Sequence, residues 1–220
     1  DAGCGKTTVL HVLVTMLTAE HPAACDAGLA AALPQPRPLP VLLPLRFFEH
    51  ACADPRQDCD RCAADLLRFV DLWFAKWCPE GDLPEGFLAA HVRAGRAWFL
   101  LDALDEVADA SNREAIRNVI EGLAHSLNGT RLIVTARVAA YRATSLNQDF
   151  TVATVRDLDS TQRERLAHAI YRGLALPDAV SRADDLARRL ESNPALQALA
   201  RTPVMIWTAA VIHALRGELP

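Results

Sequence analysis

Gly3-Cys4-Gly5-Lys6-Thr7-Thr8 lies at the start of the chain, and its residue types suit the holding of phosphate. Two glycines let the backbone turn tightly and bring N–H groups close to anionic oxygens. Lys6 offers a point charge to the β- and γ-phosphates, and the Thr7 hydroxyl is of the kind that ligates Mg²⁺. The run fills the last three positions of G-x-x-x-x-G-K-[ST], whose first glycine would fall one residue before Asp1. Ala2, Gly3, Cys4, Gly5, Lys6, Thr7 and Thr8 are therefore the candidate nucleotide contacts. The plainer alternative is a glycine turn capping a helix, with Gly-Lys-Thr present by chance.

A second group answers the first. Ala97-Trp98-Phe99-Leu100-Leu101 is an apolar run too short for a helix, and it ends in Asp102, with Asp105 and Glu106 just beyond. That pattern predicts a buried parallel strand with an acid at its carboxyl end, where open α/β sheets bind ligands. Asp102 is then a candidate for Mg²⁺ or one of its waters, together with Thr7. Asp105 or Glu106 could orient or deprotonate an attacking water. The alternative is that these acids cap the next helix.

The elements that must position these groups can be read in order. The loop should open a helix from Lys6 to Glu20, followed by an Ala/Pro-rich connection over 21–39. Val41-Leu42-Leu43-Pro44-Leu45-Arg46 reads as a short strand that Pro44 confines to an edge or ends early. Helices are predicted over 63–77, 84–94 and 112–127. Arg131–Thr135 reads as a further buried strand and Phe150–Val155 as a weaker one. From Asp159 onward the pattern is helical only: 160–174, 178–191, 194–200 and 204–216. The expectation is an α/β fold of the P-loop NTPase kind, a three-layer parallel sheet lacking its first strand, over residues 1–157. A small all-helical subdomain over 158–220 should follow.

Composition bounds the rest. Of the 220 residues, 51% are hydrophobic and 23% charged, and the formal net charge of -4 argues against a general nucleic-acid surface. No apolar run reaches the ~18 residues of a membrane span. Six cysteines without regular spacing fit a reduced, cytoplasmic protein better than a disulfide framework. Only two lysines, against many arginines and alanines, point to a GC-rich bacterial genome. His50, Cys52, Cys59 and Cys62, with Cys78, offer a weak zinc pattern, set against small residues scattered on an insertion. Trp73, Trp77 and Trp98 read as core or interface residues. The remaining histidines appear isolated, and Arg182, Arg188 and Arg189 as part of a solvated face.

Trp98 to Glu106 resembles the acidic (Walker B) motif of the NACHT NTPases, signal-transduction ATPases of the STAND class related to the NOD-like receptors. The loop at Gly5-Lys6-Thr7 is similar to their Walker A motif, and Val41–Arg46 to their second strand. Leu132–Arg137 resembles their sensor strand, which implies that Thr135 and Arg137 sense the γ-phosphate. Leu199–Ile206 is similar to their Asn/Thr-Pro-Leu motif, which implies that Pro203 lies against the base; equally, Thr202 and Pro203 could simply start a helix. Gly217–Pro220 looks like the segment that follows. The resemblance implies a slow nucleoside triphosphatase using Mg²⁺ and ATP in preference to GTP, although no base-reading motif separates the two. It further implies a switch that changes state and self-associates, with effector and sensor regions outside these residues and bacterial members acting in antiphage defence. A nucleotide-locked scaffold with little turnover, or an AAA+-type motor or loader, are the alternatives.

Overall fold

The computed structural model describes residues 3–18, 28, 31–47, 59–77, 84, 86–107, 109–126, 129–143 and 145–216. They form two compact units. One comprises Thr7–Val152, and the other joins the start of the chain, up to Lys6, with the residues from Ala153 onward.

The first unit is built on a parallel sheet, β1 (Leu39–Pro44), β2 (Ala97–Asp102) and β3 (Arg131–Val134), in the order β1-β2-β3. Leu39 pairs with Ala97 and Pro44 with Asp102 along one side of β2, and Trp98 with Arg131 along the other. All six residues of β2 are buried, as expected of a strand covered on both faces. Phe99 and Leu101 pack with Val41 and Leu43 against α2 (Cys59–Trp77), α3 (Phe87–Arg93) and α4 (Ala110–Ser126). On the opposite face Trp98 meets Met16 and Leu17 of α1 (Lys6–Thr18). The result is helices on both sides of one sheet, the three layers the sequence predicts. Burial of a side chain such as Phe99 is worth about 1.5–3 kcal/mol, so β2 anchors this unit.

The second unit consists of α6 (Ser160–Gly173), α7 (Ala179–Ser192), α8 (Pro194–Leu199) and α9 (Pro203–Arg216) around Tyr171, Leu186, Leu190, Ile206 and Ala210. Asp159 starts α6 with a capping box, its carboxylate accepting from the Gln162 N–H at 2.8 Å while Gln162 accepts from the Asp159 N–H at 3.0 Å. Asn193 starts α8 by accepting from the Ala195 and Leu196 N–H groups, with Pro194 at the first helical position.

Several expectations need correction. Phe150–Val155 is not a strand: Val152 and Val155 are exposed, and among the described residues no strand pairs with the segment. A short helix, α5 (Val138–Ala143), follows β3 where none is predicted. Helix α2 begins at Cys59, four residues earlier than its apolar periodicity indicates. Helix α3 begins only at Phe87, because Gly86 turns the chain with φ 73°. Among the described residues, no helix is long and apolar enough to cross a membrane.

Candidate nucleotide site

In the sheet unit, Thr7 lies in the first turn of α1 and Asp102 ends β2, 95 positions later. The Thr7 hydroxyl donates to Asp102 Oδ2 at 2.8 Å. The Thr135 hydroxyl, just past β3, donates to Asp102 Oδ1 at 2.5 Å and accepts from the Ala103 N–H at 2.9 Å. Backbone bonds fasten the same corner: the Thr135 N–H donates to Leu101 O, and the Leu104 N–H donates to Thr135 O, both at 2.9 Å. Asp102 is only 8% exposed, and both its oxygens are engaged by hydroxyl donors. Its neighbour Ala103 adopts φ 59°, ψ 60°, a left-handed conformation that a bulky or β-branched residue would adopt only under strain.

Beyond that turn the two remaining acids part company. Asp105 is nearly buried and binds Arg137 twice, accepting from its backbone N–H at 2.9 Å and from its Nε at 2.9 Å. Glu106 is exposed and meets Arg46, which follows β1, at 2.6 Å. Arg46 lies over the Phe47 ring, and Phe47 packs on Trp73 of α2 with ring centroids 4.7 Å apart. Arg46 thereby joins the candidate site, although sequence alone does not mark it for that role. Its one signal was its place at the carboxyl end of a strand beside β2.

In the helical unit, Gly3 and Gly5 both have positive φ, 72° and 95°. A Cβ on Gly3 would overlap the Val204 side chain; one on Gly5 would meet Pro203 Cγ at 3.8 Å. The Val204 N–H approaches Gly3 O at 3.5 Å. The start of α9 therefore lies directly on the glycine loop. Thr202 does not cap that helix through its side chain, because its buried Oγ1 has no hydrogen-bond partner; Pro203 alone sets the first helical position. Lys6 Nζ reaches Cys4 Sγ at 3.4 Å. Burial pushes the Cys4 thiol up, but the hydrogen bond and charge of Lys6 outweigh it, and the thiol lies below its ordinary value.

The donor set fits a magnesium ion. Thr7 Oγ1 and the Asp102 carboxylate are hard oxygen ligands already in contact, of the kind Mg²⁺ takes alongside water and phosphate. Among the described residues no three His, Cys, Asp or Glu side chains gather as a metal-binding group. His50, Cys52 and Cys78 lie outside the described residues, as do the side chains of Cys59 and Cys62 and the candidate contact Ala2.

One histidine thought isolated is not. His213 of α9 is buried, with Tyr171 Oη at 2.6 Å from Nδ1 and Asp185 Oδ2 at 3.0 Å from Nε2. Its position seven residues after Ile206 and three after Ala210, on the buried stripe of α9, was the available signal.

A parallel sheet with a Gly-Lys-Thr loop opening a helix and an acid at the end of the adjacent strand defines a P-loop NTPase. The NACHT domain model matches residues 1–172, and the chain belongs to the NACHT domain family. That family is a STAND-class P-loop NTPase, a nucleotide-binding module of signalling switches that generally binds nucleotide with Mg²⁺. The match ends within α6, so α7–α9 are described by the structure alone. No curated protein and no solved structure matches the chain.

Proposed function

We propose that this chain is the nucleotide-binding and hydrolysing core of a signalling switch, in which ATP binding drives conformational change and self-association. The observation that carries the reading is the 2.8 Å contact of Thr7 with Asp102: two oxygen ligands brought together from 95 positions apart. In this reading Gly3, Cys4, Gly5 and Thr8 offer backbone N–H groups to phosphate, and Lys6 offers its charge. Thr7 and Asp102 hold Mg²⁺, which when bound neutralises charge on the phosphates. Thr135 fixes the Asp102 carboxylate through its hydroxyl. The unpartnered Thr202 hydroxyl beside Gly3, and Pro203 against Gly5, support a nucleotide contact at the start of α9.

Glu106 is the better candidate for the base. Both oxygens of Asp105 are committed to Arg137, so Asp105 orients that arginine toward the γ-phosphate, while Glu106 keeps Oε1 available for a water. A second reading has specific support: both acids beyond Asp102 are paired with arginines, which favours slow turnover and a nucleotide-held scaffold. In the cell the proposal extends to a cytoplasmic role in bacterial antiphage defence.

The test is calorimetry of ATP–Mg²⁺ binding with single-turnover hydrolysis on the full-length protein. Lys6→Ala should abolish binding. Binding as tight as wild type in that variant would overturn the phosphate-loop assignment, and binding with no measurable hydrolysis in wild type would favour the scaffold.

A further inference from the structure

Helix α9 has two distinct ends. At its start Val204 occupies the space a Cβ on Gly3 would need, and Pro203 lies against Gly5. Nine residues later, about 13 Å along the axis, His213 is enclosed between α6 and α7. Tyr171 Oη lies 2.6 Å from His213 Nδ1 and 3.2 Å from Ala210 O, with the Tyr171 and His213 rings edge-to-face at 90°. His213 Nε2 meets Asp185 Oδ2 at 3.0 Å, and Asp185 is itself held by Arg189 at 2.7 Å and Arg188 at 3.2 Å.

The rest of the α9 interface is apolar and short-chained. Ile206 and Ala210 face Ala167, Ala183, Leu186 and Leu190. Such a surface gives adhesion without direction, because apolar burial scales with area and does not fix a rotation or an axial position. Hydrogen bonds are directional, weakening steeply away from linear geometry, and a buried chain of them is costly to leave unmade. The Tyr171–His213–Asp185 chain is therefore the feature that can define how far along α6 and α7 the helix sits, and how it is turned.

We propose that His213 is a positioning residue for the phosphate loop: gripped by Tyr171 and Asp185, it sets the pitch at which α9 presses Val204 and Pro203 onto Gly3 and Gly5. The inference rests on reading that loop as the nucleotide site. It requires no contact between nucleotide and any of the three relay residues. Loss of the relay leaves α9 in place as a helix but lets its first turn shift on the glycines. Backbone N–H groups meant for phosphate then lose their alignment.

The test measures ATP–Mg²⁺ affinity by calorimetry, alongside thermal unfolding, for variants of the full chain. His213→Leu should weaken affinity at least fivefold. Tyr171→Phe, which keeps the ring and deletes one hydroxyl, should weaken it about threefold. His213→Gln keeps a donor at the reach of Nε2 but nothing at Nδ1, so its affinity should fall between wild type and His213→Leu. Leu186→Ala is the control: it opens a cavity in the same core but leaves the three relay side chains, so it should lower Tm while changing affinity less than twofold. Wild-type affinity in both His213→Leu and Tyr171→Phe would overturn the proposal. So would a fivefold loss in Leu186→Ala, since affinity would then follow general stability. Should His213→Leu fail to fold, Tyr171→Phe against Leu186→Ala decides the matter. If the wild-type chain bound no ATP–Mg²⁺, or Lys6→Ala bound it equally well, the nucleotide-site reading itself would fall. A normal Lys6 effect with unchanged relay variants would sink the positioning role alone.

Discussion

Asp105 and Arg137 are bonded twice, once through the Arg137 backbone N–H and once through its Nε, each at 2.9 Å. This double contact divides the work of two adjacent carboxylates. Asp105 is nearly buried and held against Arg137 by both oxygens, whereas Glu106 is exposed and uses one oxygen on Arg46. Glu106→Gln should keep ATP–Mg²⁺ affinity within about threefold and lower single-turnover hydrolysis by about 10²-fold or more. Asp105→Asn should instead release Arg137, so its loss of rate should be matched by Arg137→Ala and not deepened in the double variant. Additive losses would show that Asp105 acts independently.

Thr135 reaches Asp102 from another strand, and its hydroxyl both donates to the carboxylate and accepts from Ala103. Thr135→Val keeps the shape and removes both bonds. The half-buried Ala103 N–H and the buried Asp102 Oδ1 then lose partners, a cost of about 1–3 kcal/mol. The expected outcome is a lower Tm and weaker Mg²⁺ dependence of nucleotide binding, with Mg²⁺-free binding little changed. Unaltered Mg²⁺ dependence would remove the orienting role from Thr135.

The parts of the fold that were legible in the sequence are those fixed by local composition. Ala97–Asp102 announces itself by apolar residues that end in an acid, because a strand covered on both faces needs no alternation. Phe150–Val155 carries four β-branched residues but, among the described residues, no strand pairs with it, and pairing is a property of the whole sheet. The same limit governs the site. The meeting of Thr7 with Asp102 could be expected from motif spacing, whereas the pairing of Arg46 with Glu106 joins residues 60 apart and needs β1 beside β2. His213 with Tyr171 and Asp185 joins three helices, and nothing in any one of them marks the partner.

Gly3 and Gly5 share a positive φ but differ in surroundings, which separates two costs. At Gly5 an added methyl meets only Pro203 at ordinary van der Waals distance, so Gly5→Ala carries mainly the left-handed strain, about 1–2 kcal/mol. At Gly3 the methyl also overlaps Val204. Gly3→Ala should therefore destabilise more than Gly5→Ala, and Val204→Ala should recover part of the difference when combined with it. Thermal unfolding of the three variants and the pair measures this. Equal Tm losses at the two glycines would mean that α9 does not bear on Gly3.

Tyr171 gives a pH dependence whose sign follows from its surroundings. Burial pushes its phenol up, Arg182 pulls it down, and the Asp185 charge adds to the rise; the net effect is a value above the ordinary one near 10. A group whose folded value is raised contributes stability that is fully present below the unfolded value and is lost as pH rises through the folded one. The helical unit should therefore lose stability above about pH 10, where the unfolded phenol ionises and the folded one does not. Tyr171→Phe removes the ionisable group, so its Tm should fall less steeply than wild type between about pH 9.5 and 11. Ultraviolet absorbance at alkaline pH reads the ionisation directly, and a Tyr141→Phe background removes the signal of the other tyrosine. Parallel Tm profiles for wild type and Tyr171→Phe would show that the phenol titrates no differently in the folded chain.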